Sequence, residues 1–219
     1  MPAPPPPSAA SDPLEPLRRT EWLSEAQRKA IHIACILLPL WLLYEWLPWP
    51  RGRTQWSLLL IALTVTGMAI DVVRIHDHRV GSFFRRFFGQ MIREKEQFTL
   101  MGSTYLLMAA LLAVEIFPQR VAAAALGFTI LGDGFAALVG KGWGRARFFN
   151  KTLEGAVGCL VACLGWGVFL GATGQLPWGV VLCGALVASL IELLPIPLDD
   201  NLGITLFAGY TMKLLWMHP

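Results

Sequence analysis

The residues from Gly132 to Gly155 combine an acid, glycines and basic side chains in a pattern that suits phosphate chemistry. Asp133 stands inside an otherwise apolar stretch, where an ionisable residue costs several kcal/mol and is usually retained for a function. As a ligand it would supply the hard oxygen that Mg²⁺ needs beside nucleotide phosphates. As a base it would take a proton from an attacking hydroxyl. A structural acid paired with an arginine inside a helix bundle is the alternative.

Glycines follow Asp133, beginning with Gly134, and a basic segment continues from them. Gly140, Gly142 and Gly144 form a GxGxG pattern around Lys141. Glycines let the backbone approach a ligand closely, and neighbouring cations suit an anionic one. The pattern predicts a loop beside a phosphate at the end of a membrane span. Close packing of membrane helices is the alternative for the glycines inside the apolar stretch. No GxxxxGK[ST] sequence occurs, so this is not a Walker A motif.

A second cluster, Lys151-Thr152-Leu153-Glu154-Gly155, opens the next apolar stretch. A helix that begins here would offer free backbone N–H groups and a positive dipole end to an anion. Lys151 would neutralise a transferring phosphate, and Glu154 would complete a metal site. The alternative is an interfacial lysine followed by a helix-capping glutamate.

A third cluster is the polar turn Asp199-Asp200-Asn201, which follows Pro195 and Pro197. Adjacent carboxylates on a constrained turn suit a divalent metal ion. We therefore expect metal or nucleotide contacts from this turn, with an ordinary polar turn as the alternative.

Further charged residues are predicted to surround the same end of the bundle and to support the site. Taken one at a time, each has the properties of an interfacial charge or of a member of an ion pair. They are Arg28, Lys29, His32, Asp71, Arg74, Arg93, Glu94, Glu96 and Glu192.

The composition predicts a membrane protein. Charged residues make up 15% of the 219-residue chain and hydrophobic residues 55%, whereas soluble domains average about 25% charged residues. One polytopic domain fits this length, without room for an added soluble catalytic domain. No basic run is interleaved with aromatic residues, so nucleic-acid binding has no support.

We expect an all-α, polytopic membrane helix bundle of about seven transmembrane helices. A span needs about 20 mostly apolar residues, and seven segments meet this condition: 30–48, 55–74, 99–117, 120–140, 153–173, 177–195 and 202–217. Six spans are the alternative, because the fourth and sixth segments each carry an acid. Residues 1–20 contain seven prolines and are predicted to form a disordered tail before a membrane domain over residues 21–219.

Basic residues indicate the orientation of these spans. With seven spans, 14 of the 18 lysines and arginines lie on the side of the N-terminus. Because positive charge collects in cytoplasmic loops, the N-terminus is predicted to be cytoplasmic. The same topology places every polar cluster described above at the cytoplasmic face.

Residues 130–155 (ILGDGFAALVGKGWGRARFFNKTLEG) resemble the signature of the CTP-dependent polyprenol kinase family. This family includes dolichol kinase, phytol kinase and CTP-dependent diacylglycerol kinase. The supporting pieces occur in the expected order: RKAIH at 28–32, Asp71 with Arg74, REKE at 93–96 before Gly102, and PLDDN at 197–201. The resemblance extends from residue 28 to residue 210.

The resemblance implies a multi-pass membrane kinase that uses CTP and a divalent metal such as Mg²⁺ to phosphorylate a lipid alcohol. It implies nucleotide or metal contacts for Asp133, Lys151, Thr152, Glu154, Asp199, Asp200 and Asn201. It leaves open which acid is the base and which lipid alcohol is the acceptor.

Two other functions stay open at this point. Phosphatidate cytidylyltransferase shares a similar acid, glycine-rich segment and KTxEG-like stretch. It usually carries a serine-proline before its lysines and a KDxxD-like late motif, whereas Phe148-Phe149-Asn150 precedes Lys151 here and the late motif is PLDDN. These departures favour the kinase. A non-catalytic lipid carrier is the other alternative, although a carrier needs polar groups along a path and the acids here are concentrated on one side.

Overall fold

The computed structural model describes residues 15–88 and 94–217. Within these residues the chain is helical apart from turns and one two-stranded hairpin, which confirms the all-α prediction. The elements in chain order are α1 (Glu15–Ala34), α2 (Leu37–Tyr44), α3 (Gly52–His76), α4 (His78–Phe88), a 3₁₀ turn (Glu94–Gln97), α5 (Gly102–Ile116), α6 (Gln119–Trp143), β1 (Arg147–Phe148), β2 (Lys151–Thr152), α7 (Leu153–Ala172), α8 (Trp178–Leu193) and α9 (Asp200–Met217).

Four helical segments of the described chain are long and apolar enough to cross a bilayer, as expected of a membrane protein. They are Glu25–Tyr44, Gly52–His76, Gln119–Trp143 and Leu153–Ala172. Helices α5 and α8 are apolar but have 15 and 16 residues, fewer than the about 20 that a straight span needs. Each of the seven predicted spans overlaps a helix, while the number of spans and the cytoplasmic N-terminus remain predictions.

The first helix begins at Glu15, inside the segment predicted as a disordered tail. Pro16 falls in its first turn, where a proline is tolerated because a backbone N–H at that position would have no partner within the helix. The rest of the predicted tail, residues 1–14, lies outside the described residues.

Helix α6 is the centre of the bundle and packs against α1, α2, α5, α7, α8 and α9. Every residue from Val121 to Ile130 is buried. The run of alanines that ends at Ala125 and the following Gly127 allow neighbouring helices to approach closely, and Trp166 of α7 lies against Gly127. Asp133 lies only three residues beyond this buried run, on the same central helix.

From α5 onward, the order of the helices collects the polar clusters at one end of the bundle. Helices α6 and α8 end there, and α5, α7 and α9 begin there. Between α6 and α7, strands β1 and β2 pair in antiparallel fashion, with Arg147 opposite Thr152 and Phe148 opposite Lys151. The hairpin turns at Phe149, which has a positive φ of 52°. This fold positions the hairpin over the space between α6, α7, α8 and α9.

Candidate active site

Three carboxylates from three different helices converge at this end of the bundle. Oxygen atoms of Asp133 on α6, Glu192 on α8 and Asp200 on α9 lie within 4.8 Å of one another. Oxygen ligands of this kind are the ones that Mg²⁺ and Ca²⁺ prefer. Asp133 and Asp200 were predicted as metal ligands, whereas Glu192 was predicted only as a supporting residue.

Two lysines pair with these acids. Lys29 of α1, which is completely buried, donates to Oδ2 of Asp133. The Nζ atom of Lys151 lies 2.7 Å from Oδ1 of Asp200 and 3.1 Å from Oε2 of Glu192. Because three carboxylates face two ammonium groups, these five side chains together carry one formal negative charge in excess.

Lys151 remains positively charged in this environment. Burial lowers the pKa of an ammonium group, but the charges of Glu192 and Asp200 and its hydrogen bonds to them outweigh this effect, so that the pKa of Lys151 is raised above its ordinary value. An ammonium group with a raised pKa beside an open cavity is suited to binding a phosphate.

The start of α7 is closely packed against the end of α6. Thr152 is the N-cap residue of α7, and its Oγ1 accepts a hydrogen bond of 3.1 Å from the backbone N–H of Gly155. A Cβ atom on Gly140 would lie 2.8 Å from Thr152 Oγ1, and one on Gly155 would lie 2.9 Å from the carbonyl oxygen of Ala136. Glycine is therefore required at both positions for the two helices to approach.

A cavity of 680 Å³ opens between the acids and this helix contact. Its lining combines three classes of residue that suit a nucleotide with its phosphates. The basic residues are Lys141, Arg147 and Lys151, the glycines are Gly140, Gly144 and Gly155, and the acids are Asp133, Glu192 and Asp200. Thr152 and Asn150 also line it. We call this space the nucleotide-side cavity.

Two of the predicted nucleotide-binding glycines lie elsewhere. Gly134 is buried against α1, where an added Cβ would lie 2.7 Å from Cγ1 of Ile33, so it serves the packing of α1 on α6. Gly142 is exposed and is not among the residues that line the nucleotide-side cavity. The predicted GxGxG loop is helical as far as Trp143, because α6 continues beyond the apolar stretch and ends with the hydrogen bond from Gly144 N to Gly140 O.

Glu154, which was predicted to complete a metal site, lies outside the cluster of three acids. Its two carboxylate oxygens accept hydrogen bonds of 3.1 and 3.2 Å from the backbone N–H of Ala146. The side chain thus connects the first turn of α7 to the segment that leads into the hairpin. This arrangement gives Glu154 a role in shaping the loop around the cavity.

Asp199 and Asn201 form a turn of their own at the start of α9. Oδ1 of Asp199 accepts hydrogen bonds from the backbone N–H and from Nδ2 of Asn201, at 3.0 and 2.8 Å. Burial raises the pKa of Asp199 above its ordinary value. Asp199 was predicted as a metal ligand, but the metal-ligating geometry found in the described residues does not include it.

A second cavity, of 310 Å³, adjoins the first. Asp133 and Asp200 line both cavities. The second cavity has a larger apolar surface, which comes from Ile31, Cys35, Phe84, Met101 and Leu106. Its other polar lining residues are Arg28, His32, Glu96, Ser103, Asp199 and Asn201. We call this space the apolar-side cavity.

One wall of the apolar-side cavity is anchored by a buried polar network. Asp71 is completely buried and accepts from Nη2 of Arg74 at 2.8 Å, from the backbone N–H of Met101 at 2.9 Å and from Oγ1 of Thr104 at 2.7 Å. Arg74 in turn donates to the carbonyl oxygen of Glu96 at 2.9 Å. Asp71 and Arg74 thus fix the segment that carries Glu96 and Met101, both of which line the cavity.

Two other predicted supporting residues, Arg28 and His32, lie on α1. Arg28 pairs with Glu25, and Glu25 also accepts from Nζ of Lys141 at 3.0 Å, which ties α1 to the end of α6. Nε2 of His32 is 3.4 Å from Oδ2 of Asp133. Arg93 lies outside the described residues, and so does the side chain of Glu94.

Sequence reasoning did not identify some residues that line the cavities. Arg147 and Asn150 border the nucleotide-side cavity. Arg147 belongs to the basic segment that follows the glycines but was not singled out, and Asn150 was signalled only as an asparagine in the short turn between two apolar stretches. The apolar lining of the second cavity gave no signal at all, since the same residue types face lipid elsewhere on the bundle.

Comparison with known proteins relates the chain to one kinase. It is 29% identical over 143 residues to an uncharacterised protein of Rickettsia prowazekii, which covers 64% of this chain and 67% of that protein. It is 26% identical over 161 residues to CTP-dependent diacylglycerol kinase 1 of Schizosaccharomyces pombe, which covers 66% of this chain and 74% of the kinase. No family model and no solved structure matches the chain. The second similarity, although distant, supports the resemblance to CTP-dependent lipid kinases.

Proposed function

We propose that this protein transfers the γ-phosphoryl group of CTP to the hydroxyl group of a lipid alcohol. The observation that carries the proposal is the position of Asp133 and Asp200, which line both the nucleotide-side cavity and the apolar-side cavity. A reaction between a charged nucleotide and an apolar alcohol needs reactive side chains at the boundary between a polar and an apolar cavity. The choice of CTP rests on the similarity to a kinase that depends on this nucleotide.

The acid cluster fits a divalent metal ion. Asp133, Glu192 and Asp200 present oxygen atoms within 4.8 Å of one another, and oxygen atoms are the ligands that Mg²⁺ prefers. When bound by these three residues, Mg²⁺ would neutralise phosphate charge during transfer.

Phosphoryl transfer depends mainly on positioning and on neutralisation of charge. Lys151 and Arg147 line the nucleotide-side cavity from the hairpin, and Lys141 lines it from the last turn of α6. These three cations would hold the triphosphate against the glycine-rich contact of α6 and α7. Gly140 and Gly155 line the cavity at this contact, where the phosphates would lie.

In the proposed reaction the hydroxyl oxygen of the alcohol forms a new bond to the γ-phosphorus. The bond between that phosphorus and the β,γ-bridging oxygen breaks, and CDP leaves. Asp133 receives the hydroxyl proton, because its carboxylate lines the cavities on both sides of the boundary. Lys29 pairs with the Asp133 carboxylate and holds it in position before transfer.

The distribution of basic residues favours a cytoplasmic position for this end of the bundle, where CTP is present. The acceptor class includes polyprenols, phytol-like isoprenoids and diacylglycerol, each of which carries one hydroxyl on an apolar tail. The tail would remain at the level of the bilayer while the hydroxyl reaches the acids.

The proposal is tested with purified protein in lipid nanodiscs that contain Mg²⁺, a lipid-alcohol extract and added phosphatidate. CTP labelled at the γ-phosphate and CTP labelled at the α-phosphate are supplied in separate reactions. We expect label in lipid from the γ-position only, and the mobility of the product then identifies the acceptor. Label from the α-position only would make the protein a cytidylyltransferase. Absence of label from both would favour a non-catalytic lipid carrier.

A further inference from the structure

Helix α4 begins where the apolar surface of α3 ends. Val72 and Val73, near the end of α3, are exposed apolar residues on a helix that is long enough to cross a bilayer. Asp77 then turns the chain through an extended backbone conformation. Its Oδ1 caps α4 by accepting from the backbone N–H groups of Arg79 and Val80, at 2.7 and 3.1 Å. The covalent connection therefore places α4 at the end of a membrane span.

One side of α4 faces the bundle, and the side next to it does not. Gly81 is buried and Phe84 lines the apolar-side cavity. Phe83 and Phe87, one turn apart, are 55 and 64% exposed, and their ring centroids lie 4.6 Å apart. The part of the chain that the structure describes therefore leaves this pair of rings largely uncovered.

Basic side chains border the two exposed rings. With 3.6 residues per turn, Arg79 and Arg86 fall on the side of α4 that is opposite to Gly81, and both are exposed. His78, which is also exposed, falls opposite the rings. An apolar strip bordered by arginines is typical of a helix that lies in the plane of a membrane surface. In such a helix the rings enter the acyl region, while the guanidinium groups reach the lipid phosphates.

We propose that α4 binds the membrane surface at this end of the bundle. The two exposed phenylalanines lie among the acyl chains, and the two exposed arginines bind the phosphate groups of anionic phospholipids, whose net negative charge complements theirs. Because Phe84 lines the apolar-side cavity, this contact holds one wall of that cavity at the level of the lipid headgroups. The proposed surface goes beyond the kinase reaction and does not depend on it.

The position of α4 is tested by nitroxide labelling of the full chain in nanodiscs of phosphatidylcholine and phosphatidylglycerol, without nucleotide. The two partly exposed cysteines, Cys35 and Cys183, are first replaced by alanine. The label is then attached to Phe87→Cys, to its neighbour Arg86→Cys or to His78→Cys. We expect collisions with oxygen to dominate for the label at 87, and collisions with a water-soluble nickel chelate to dominate at 86 and 78.

Three results would overturn this position of α4. Dominant nickel collisions at all three labels would place the helix in water, and dominant oxygen collisions at all three would place it inside the hydrocarbon. A label at 87 that neither reagent reaches would show that another protein surface covers the ring.

The preference for anionic lipid is tested with a fluorophore on Phe87→Cys and nitroxide-labelled phosphatidylglycerol or phosphatidylcholine as the quencher. One basic residue near an anionic surface favours association about fivefold. We therefore expect the local concentration of phosphatidylglycerol around α4 to exceed that of phosphatidylcholine by at least about fivefold. Arg79→Gln/Arg86→Gln should abolish this preference. Arg120→Gln, an exposed arginine at the start of α6 and hence at the other end of the bundle, should preserve it.

Equal quenching by the two lipids in the protein with both arginines would overturn the role given to them. An unchanged preference in the double arginine variant would do the same. Neither measurement requires phosphoryl transfer, so failure of the kinase proposal would leave both results standing, and failure of the membrane surface would leave the kinase standing.

Discussion

The ammonium group of Lys29 on α1 is paired with the carboxylate of Asp133 on α6, and the Lys29 side chain has no exposed surface. The two residues lie 104 positions apart in the chain. Their contact joins the first helix of the bundle to the central one and holds the acid at the boundary of the two cavities. Both the stability and the chemistry of the protein are expected to depend on it.

Removal of Lys29 should destabilise the fold through the acid that it leaves behind. Breaking a buried ion pair on one side costs about 3–5 kcal/mol, because the other charge remains unpaired. We expect Lys29→Met to lower the Tm of the detergent-solubilised protein clearly. The double variant Lys29→Met/Asp133→Asn should recover most of this loss in Tm but should have no kinase activity. A double variant no more stable than the single one would contradict this account of the pair.

Substitutions in the acid cluster should weaken the response to metal. Asp200→Asn or Glu192→Gln removes one of three oxygen ligands, so we expect at least about a tenfold increase in the Mg²⁺ concentration that gives half-maximal activity. The measurement is a Mg²⁺ titration of phosphoryl transfer at saturating CTP. Glu115 is an exposed acid on α5, and Glu115→Gln serves as the control with an unchanged titration. An unchanged titration in both cluster variants would remove Asp200 and Glu192 from the metal site.

The close contact of α6 and α7 predicts different effects for two glycines on the same helix. An alanine at position 155 would place Cβ 2.9 Å from Ala136 O and from Thr152 Oγ1, whereas one at position 165 would meet no atom within 4 Å. Gly155→Ala should therefore cost about 1–3 kcal/mol and impair CTP binding. Gly165→Ala should be neutral or stabilise the helix by up to about 1 kcal/mol. Thermal unfolding and the KM for CTP are measured for both, and equal behaviour would contradict the packing described here.

The network around Asp71 predicts an effect on the lipid side. Asp71→Asn removes the charge that pairs with the buried guanidinium of Arg74, which should cost about 3–5 kcal/mol. Because the network anchors the segment of Glu96 and Met101, we expect the variant that remains folded to show a raised KM for the lipid alcohol and an unchanged KM for CTP. A change in the KM for CTP alone would show that the network supports the nucleotide-side cavity instead.

Much of this arrangement could be predicted from the sequence, and the remainder has a physical reason. The apolar stretches predict the helices, and the free-energy cost of an acid inside such a stretch makes Asp133 a candidate site residue. The same argument applies to Glu192, but its isolation in the sequence gave no reason to place it with Asp133 and Asp200. Glu154 is the opposite case. Its position beside a lysine and a threonine made it a candidate site residue, but the sequence does not show in which direction its side chain points.

The apolar-side cavity could not be predicted because its character depends on three-dimensional packing. Ile31, Phe84 and Leu106 come from three helices, and none differs in type from residues that face lipid. Asn201 could be singled out from the sequence as a polar residue in a turn, but only the structure shows that its side-chain amide donates to Asp199.

The central claim is that the acid at position 133 enables transfer of the γ-phosphoryl group to a lipid. The most direct measurement compares wild type and Asp133→Asn in nanodiscs with γ-labelled CTP, Mg²⁺ and a lipid-alcohol extract, after size-exclusion chromatography has shown that both are folded. We predict labelled lipid phosphate from the wild type and a loss of at least about 10³-fold in the variant. Undiminished transfer by a folded Asp133→Asn protein would contradict the account.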